Sequence, residues 1–207
     1  MSDDRDLGSR RPEADRPAAA VLLWIPLGAG TSVVRRSGRL FESMSALVQR
    51  RRRFDLYHSA LEVTVPAGRF VIEMAPIPNQ HGERRGVVGE GAVGTRWAGR
   101  IRVFRYENRR WFGGVIPDAA AAVATIRVSD GSATAERILE LVPSAPTPVW
   151  GRDELDAGEM WNSNSLTAWL LSSAGVDVSG IRPPPHGRAP GWDAGLTVAL
   201  RNQLALA

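Results

Sequence analysis

The sequence predicts an α+β fold: a small antiparallel sheet packed against several helices. Three observations lead there. Residues 56–63 and 69–75 are strand-like runs joined by Pro66-Ala67-Gly68, a hairpin signature with Gly in the loop. Leu40, Met44, Leu47 and Val48 recur at helical spacing. Much later, the polar group Asn162-Ser163-Asn164-Ser165 opens directly into Leu166, Trp169 and Leu170, one face of a second helix.

Taken in order, residues 1–20 are charged, Pro-containing and poor in large apolar groups, which predicts a disordered tail. Residues 21–207 then form a single α+β domain. Val21-Leu-Leu-Trp-Ile25 is a buried strand stopped by Pro26. A helix over 38–53 ends in Arg50-Arg-Arg-Arg53, a cationic last turn matched to the helix dipole. The hairpin follows, closed by Pro76 and Pro78. Residues 79–94 are Gly- and charge-rich and read as an exposed loop. A strand is expected over 96–106 and a short one over 111–115. Pro117-Asp118 leads an Ala-rich stretch to Val128, read as a helix, and another helix covers 134–141. Residues 150–158 are a polar connector to the helix that starts at Asn162. The Pro- and Gly-rich segment 181–195 wraps the surface, and 195–205 closes the chain with a short helix or strand.

Composition narrows the chemistry. The 207 residues are 43% hydrophobic, enough for a real core. All 26 basic residues are Arg, which reads as coding bias, and the net charge of +4 does not by itself indicate nucleic-acid binding. There is no Cys, which removes disulfides, thiolate metal sites and a Cys nucleophile. Three His residues without metal-ligand spacing argue against a zinc site, and no cofactor motif is present, since Gly28-Ala-Gly30 lacks the third Gly of a dinucleotide loop. No apolar run is long enough to span a bilayer. The acidic start, Met1-Ser-Asp-Asp-Arg-Asp6, is unlike a signal peptide, so the cytoplasm is expected.

The candidate chemistry centres on Ser163. A hydroxyl at a helix N-terminus meets free backbone N–H groups and the positive dipole end, which stabilise developing negative charge. A Ser nucleophile needs a base, and the base needs an orienting group. His58 lies in the first hairpin strand beside Tyr57. Glu73 lies in the second, inside an otherwise apolar run where a charge needs a partner. A turn centred between Pro66 and Ala67 sets Glu73 opposite Ala60 and diagonal to His58. The expected roles are Ser163 as nucleophile, His58 as general base and acid, and Glu73 as orienter, with the Ser163 N–H in the oxyanion site. Asn162 and Asn164 are supporting residues. Tyr57, Trp161, Arg188 and Trp192 are candidates for substrate contact, Arg188 for an anionic group and the indoles for stacking. His81 and His186 rank below His58 as the base.

This order of residues, a His in a strand, a polar residue on the next strand and, about a hundred residues later, Asn162-Ser163 opening an apolar helix, resembles the circularly permuted branch of the papain-like NlpC/P60 superfamily, which includes the lecithin retinol acyltransferase-like proteins. The resemblance covers residues 55–175. It implies hydrolysis of a peptide or amide bond, or acyl transfer, through an acyl-enzyme. The family nucleophile is Cys, and Ser163 stands in its place. An alcohol is not ionised by a neighbouring imidazole as a thiol is, so attack must be concerted with proton abstraction. The substrate expected is a small-molecule or peptide amide or ester. The alternatives are a catalytically inactive papain-like module that binds a ligand or protein, and an RNA-associated protein using Arg50–Arg53 with Arg109 and Arg110.

Overall fold

The computed structural model describes residues 17–27, 55–77 and 85–206. The expected helix over 38–53, the run Arg50–Arg53, His81 and most of the expected tail lie outside them. Ala19 and Ala20, assigned to that tail, instead open the first strand.

Six strands form one antiparallel sheet in the order β4-β5-β3-β2-β1-β6. They are β1 (Ala19–Pro26), β2 (Asp55–Val65), β3 (Gly68–Pro76), β4 (Val87–Ala92), β5 (Arg105–Phe112) and β6 (Ala124–Ser129). A two-residue strand, β7 (Gly187–Arg188), pairs in parallel with the start of β2. Three α-helices occur among the described residues: α1 (Ser132–Leu141), α2 (Ser163–Ser173) and α3 (Trp192–Leu206).

The strand next to the edge strand β6 explains the architecture. In β1, alternate side chains serve two cores, as expected for a strand covered on both faces. Ala20, Leu22 and Trp24 join the large cluster that contains Leu61, Val63, Ile72, Ile138, Leu166, Leu170 and Trp192. Leu23 and Ile25 join a smaller cluster with Ala60, Val71 and Ile116. The helices therefore cover one face, and the segment around 116–122 covers part of the other. α2 is buried at every position from Ser163 to Leu171, on all sides rather than along one stripe. It lies between the sheet and α3, and Gly195 of α3 admits the backbone of Ser165 where any Cβ would collide.

Three sequence expectations fail here. The Ala-rich stretch 119–128 is a short 3-10 turn, Ala119–Ala121, followed by β6. Thr125, Ile126, Arg127 and Val128 alternate with period two between exposed and half-buried positions, and that alternation with β-branched residues overrides the helix propensity of Ala. Residues 96–104 are two successive 3-10 turns, and the strand begins only at Arg105. Their alternation of Arg and apolar residues has no buried face to serve. Finally, the loop expected over 79–94 contains β4, an edge strand whose Gly91 accommodates the ring of Tyr106.

Candidate active site

The start of α2 is closed by an array of short hydrogen bonds. Asn162 is the N-cap. Its side-chain oxygen accepts from the N–H groups of Asn164 (2.8 Å) and Ser165 (3.4 Å), and the Ser165 hydroxyl accepts from the Asn162 N–H (3.1 Å), completing a capping box. The Ser165 hydroxyl donates in turn to the carbonyl of Gly191 at 2.7 Å. Asn162 and Asn164 both donate through Nδ2 to the carbonyl of Pro190. These bonds fix the 190–191 turn on the helix start. Gly191 is at φ +84°, and its Cα lies against the Ser165 hydroxyl and the Asn162 side chain, so only Gly fits there.

Ser163 differs from its neighbours. Among the described residues its hydroxyl forms no hydrogen bond, and its backbone N–H is the one donor of the first turn that the cap leaves unused. The residue is nonetheless nearly buried. Of the two hydroxyls at this helix start, the Ser165 hydroxyl is consumed by structure and the Ser163 hydroxyl is not.

The helix start is also fixed to β2. Asn164 Nδ2 donates to the carbonyl of Tyr57 at 3.0 Å, next in sequence to His58. This bond is possible because the β2–β3 ladder follows the expected register from Val65↔Gly68 to Leu61↔Ile72 and then parts. Beyond that point β3 stays paired with β5, while residues 57–60 of β2 pair with β1 alone. The carbonyl freed by this parting is the one that receives Asn164.

His58 leaves β2 on the face of Ala60, opposite to Tyr57 and Leu61. Its Nε2 lies 2.9 Å from Oδ2 of Asp118, a residue of the segment that covers the smaller cluster. Burial alone raises the Asp118 carboxyl, but the hydrogen bond and charge of His58 outweigh it and hold the group below the usual carboxylate range. With Nε2 so engaged, Nδ1 is the ring nitrogen left to act as a base.

Glu73 was expected to orient His58, and the structure gives that place to Asp118. Glu73 Oε1 accepts from Arg109 Nη1 at 2.7 Å. Arg109 also donates to Glu107 (2.8 Å) and to the carbonyl of Pro76 (3.2 Å), and Glu107 pairs with Arg85 at 3.1 Å. Burial raises the Glu73 carboxyl despite the opposing pull of Arg109, and His58 and Asp118 are near enough to act on it electrostatically. The reason for the exchange is the register: Glu73 stands directly opposite Arg109 across the β3–β5 ladder, and its charge is satisfied there.

The remaining candidates divide plainly. Tyr57 lines the helix-side core, where burial and then Asp55 raise its phenol, and its ring covers Gly187. Trp161 is a core residue, and Trp192 packs on Trp24 with ring centroids 5.1 Å apart. Neither indole stacks toward solvent. Arg188 is paired with Glu159 at 2.9 Å, and the same carboxylate accepts the Gly191 N–H at 2.7 Å. It braces the turn over α2 instead of waiting for an anion. His186 is exposed at φ +61°. The described residues contain no group of three or more His, Asp or Glu able to hold a metal. No helix among them is long and apolar enough to cross a membrane. Asp118 is not marked by the sequence because it reads as a helix start, and Arg109, a candidate there only for RNA contact, is instead buried as the partner of Glu73.

No family model matches this chain, and no curated protein or solved structure is significantly similar to it.

Proposed function

We propose that the chain is a serine-type hydrolase or acyltransferase that works through an acyl-enzyme on Ser163, with His58 as general base and acid and Asp118 as its orienting carboxylate. The observation that carries this reading is the state of Ser163. At a helix start where every other donor is committed, it alone keeps both its hydroxyl and its backbone N–H unengaged. These are the two groups an acyl transfer needs at one residue: an oxygen to attack and an N–H to receive the charge that develops on the carbonyl oxygen.

In the proposed reaction the Ser163 oxygen adds to the carbonyl carbon of an amide or ester while its proton passes to His58 Nδ1. The tetrahedral oxyanion is stabilised by the Ser163 N–H and the helix dipole. The intermediate collapses by breaking the bond to the leaving amine or alcohol, which takes the proton from His58. Water, or a second acceptor, then repeats the sequence and releases the acyl group. Asp118 holds the ring and balances the imidazolium. His58 and Asn162-Ser163 still fall in the order of the permuted papain-like enzymes, with Ser for Cys, but Asp118 lies sixty residues beyond His58 and not on the next strand, where that resemblance puts the second polar residue.

A second reading has its own support. Ser163 belongs to the helix layer, while His58 faces the other side of the sheet, and no hydrogen bond joins them. A catalytically inactive papain-like module that binds a ligand or protein would look the same. The catalytic reading requires the two side chains, which stand on opposite faces of the sheet, to be brought together through the parting between β2 and β3.

Hydrolysis of a panel of short-chain p-nitrophenyl esters separates the two. The catalytic reading predicts turnover that Ser163→Ala abolishes and Asp118→Asn lowers by about 10²–10⁴-fold, with circular dichroism unchanged. Turnover that survives Ser163→Ala, or no turnover by the folded wild type, leaves the binding reading.

A further inference from the structure

The loop between β4 and β5 is built unlike the other connections. Its base is fastened on both sides. Val93 N–H donates to Phe104 O (2.8 Å), and Gly94 N–H donates to Trp150 O (3.0 Å). Arg152 donates to Gly94 O (2.7 Å), and Arg96 grips Glu154 through two nitrogens (2.7 and 3.3 Å). The two 3-10 turns follow this base, with Gly99 packed on Ala92 of β4, and the large apolar side chains of the segment face solvent. Trp97 is 69% exposed, Val103 62%, Ile101 49% and Phe104 45%. A soluble surface scatters such residues singly, and four within eight positions form a patch that calls for a partner.

Two further features identify the partner. Arg100 and Arg102 alternate with the apolar residues, are exposed, and form no ion pair among the described residues. No acidic residue occurs from 91 to 106. The turns also satisfy much of their own backbone: Arg100, Ile101 and Phe104 donate to carbonyls three residues back, and Ala98 donates to the Thr95 hydroxyl. A tip that is apolar, cationic and partly self-bonded is suited to a medium that offers little hydrogen bonding beneath a layer of negative charge.

We propose that residues 96–104 are a docking tip for an anionic lipid bilayer. Trp97, Ile101, Val103 and Phe104 enter the interfacial region, and Arg100 and Arg102 meet lipid phosphates. Trp97 is the natural interfacial anchor. Single-stranded RNA is the weaker match, because stacking on bases uses flat aromatic faces and half of this patch is aliphatic. The proposal is independent of the catalytic reading.

Cosedimentation of the full chain with vesicles tests it, comparing phosphatidylcholine alone with equal parts phosphatidylcholine and phosphatidylglycerol. The wild type is expected to bind the mixed vesicles and to lose binding as salt is raised. Trp97→Ser with Val103→Ser is expected to lower that binding at least tenfold. Arg100→Gln with Arg102→Gln is expected to remove about tenfold and with it most of the preference for anionic vesicles. All these side chains are exposed, so unfolding temperatures should match the wild type and establish that the variants are folded. Failure of the wild type to bind mixed vesicles at low salt overturns the proposal. So does equal binding by all three proteins. Loss of self-association or of RNA binding in the same variants, without vesicle binding by the wild type, assigns the tip to those partners instead.

Discussion

Asp118 carries more of the chemistry than its sequence surroundings suggest. Pro117-Asp118 reads locally as the start of a helix, and nothing within several residues pairs it with His58, sixty positions earlier. Fold topology makes that contact, so it was not legible. His58, Glu73 and Ser163 stand out in the sequence as candidates for different reasons: a His in a strand, a carboxylate in an apolar run, and a hydroxyl in a capping sequence. Of these, Glu73 shows where a local pattern stops. The need for a partner was read correctly, but the partner is Arg109, which stands opposite it across a ladder that the sequence did not reveal. The roles separate by mutation. Asp118→Asn should lower kcat far more than KM. Glu73→Gln should act mainly on stability, because its carboxylate serves Arg109 and not the imidazole. Steady-state kinetics and thermal unfolding of the two variants check this. Equal kcat losses at unchanged stability would return Glu73 to the reaction.

Among the elements, the hairpin and α2 were plain in the sequence, and β5 was not. The hairpin announces itself through turn chemistry and β-branched runs, and α2 through its cap and helical spacing. In β5 the sequence Arg105-Tyr-Glu-Asn-Arg-Arg-Trp-Phe112 is dominated by polar groups, yet Glu107, Asn108 and Arg109 are buried. The burial of Glu107 and Arg109 is tolerated because their charges are satisfied within the sheet, a relation that hydropathy patterns do not encode, whereas both polar atoms of the Asn108 side chain are buried without a partner. Glu107→Gln should therefore cost about 3–5 kcal/mol in denaturant unfolding, since it weakens the hold on both Arg85 and Arg109 in a buried place. The junction of α2 and α3 is equally exacting. Gly195→Ala places a methyl group on the carbonyl of Ser165 and should cost about 1–3 kcal/mol through overpacking. Because that carbonyl belongs to the capped turn, the same variant should lose activity in excess of its unfolded fraction. Unfolding midpoint and specific activity measured on one preparation test both parts.

For the molecule as a whole, the α+β class and the antiparallel sheet followed from the sequence, while the division of the sheet into a helix-covered face and a loop-covered face did not. The second face depends on β6 and the 116–122 segment, where Ala-rich composition pointed to a helix. That face holds the ionisable network, so it governs the acid limb of stability. Asp118 and Glu107 both lie below their ordinary values of 3.8 and 4.5 in the folded state, Asp118 through His58 and Glu107 through its arginines, in each case against the opposing effect of burial. Such groups contribute stability that is complete above the unfolded values and is lost as pH falls through the folded ones. Glu73 is raised, so its contribution has the opposite sign: it is present below 4.5 and is lost as pH rises through its folded value. The Glu73 window lies above 4.5 and the windows of Glu107 and Asp118 lie below their ordinary values, so stability should fall as pH drops below about 4.5. Asp118→Asn with Glu107→Gln should flatten that limb, as followed by urea unfolding across acid pH. An unchanged slope would remove these carboxylates from the acid response.

The central claim, that Ser163 is a nucleophile driven by His58, is tested most directly by peptide mass spectrometry after treatment of the folded protein with a fluorophosphonate. The account predicts a phosphonyl adduct on Ser163 and none on Ser165, formed much more slowly in His58→Ala. A folded wild type left unmodified, or labelling of Ser163 at the same rate without His58, would contradict it.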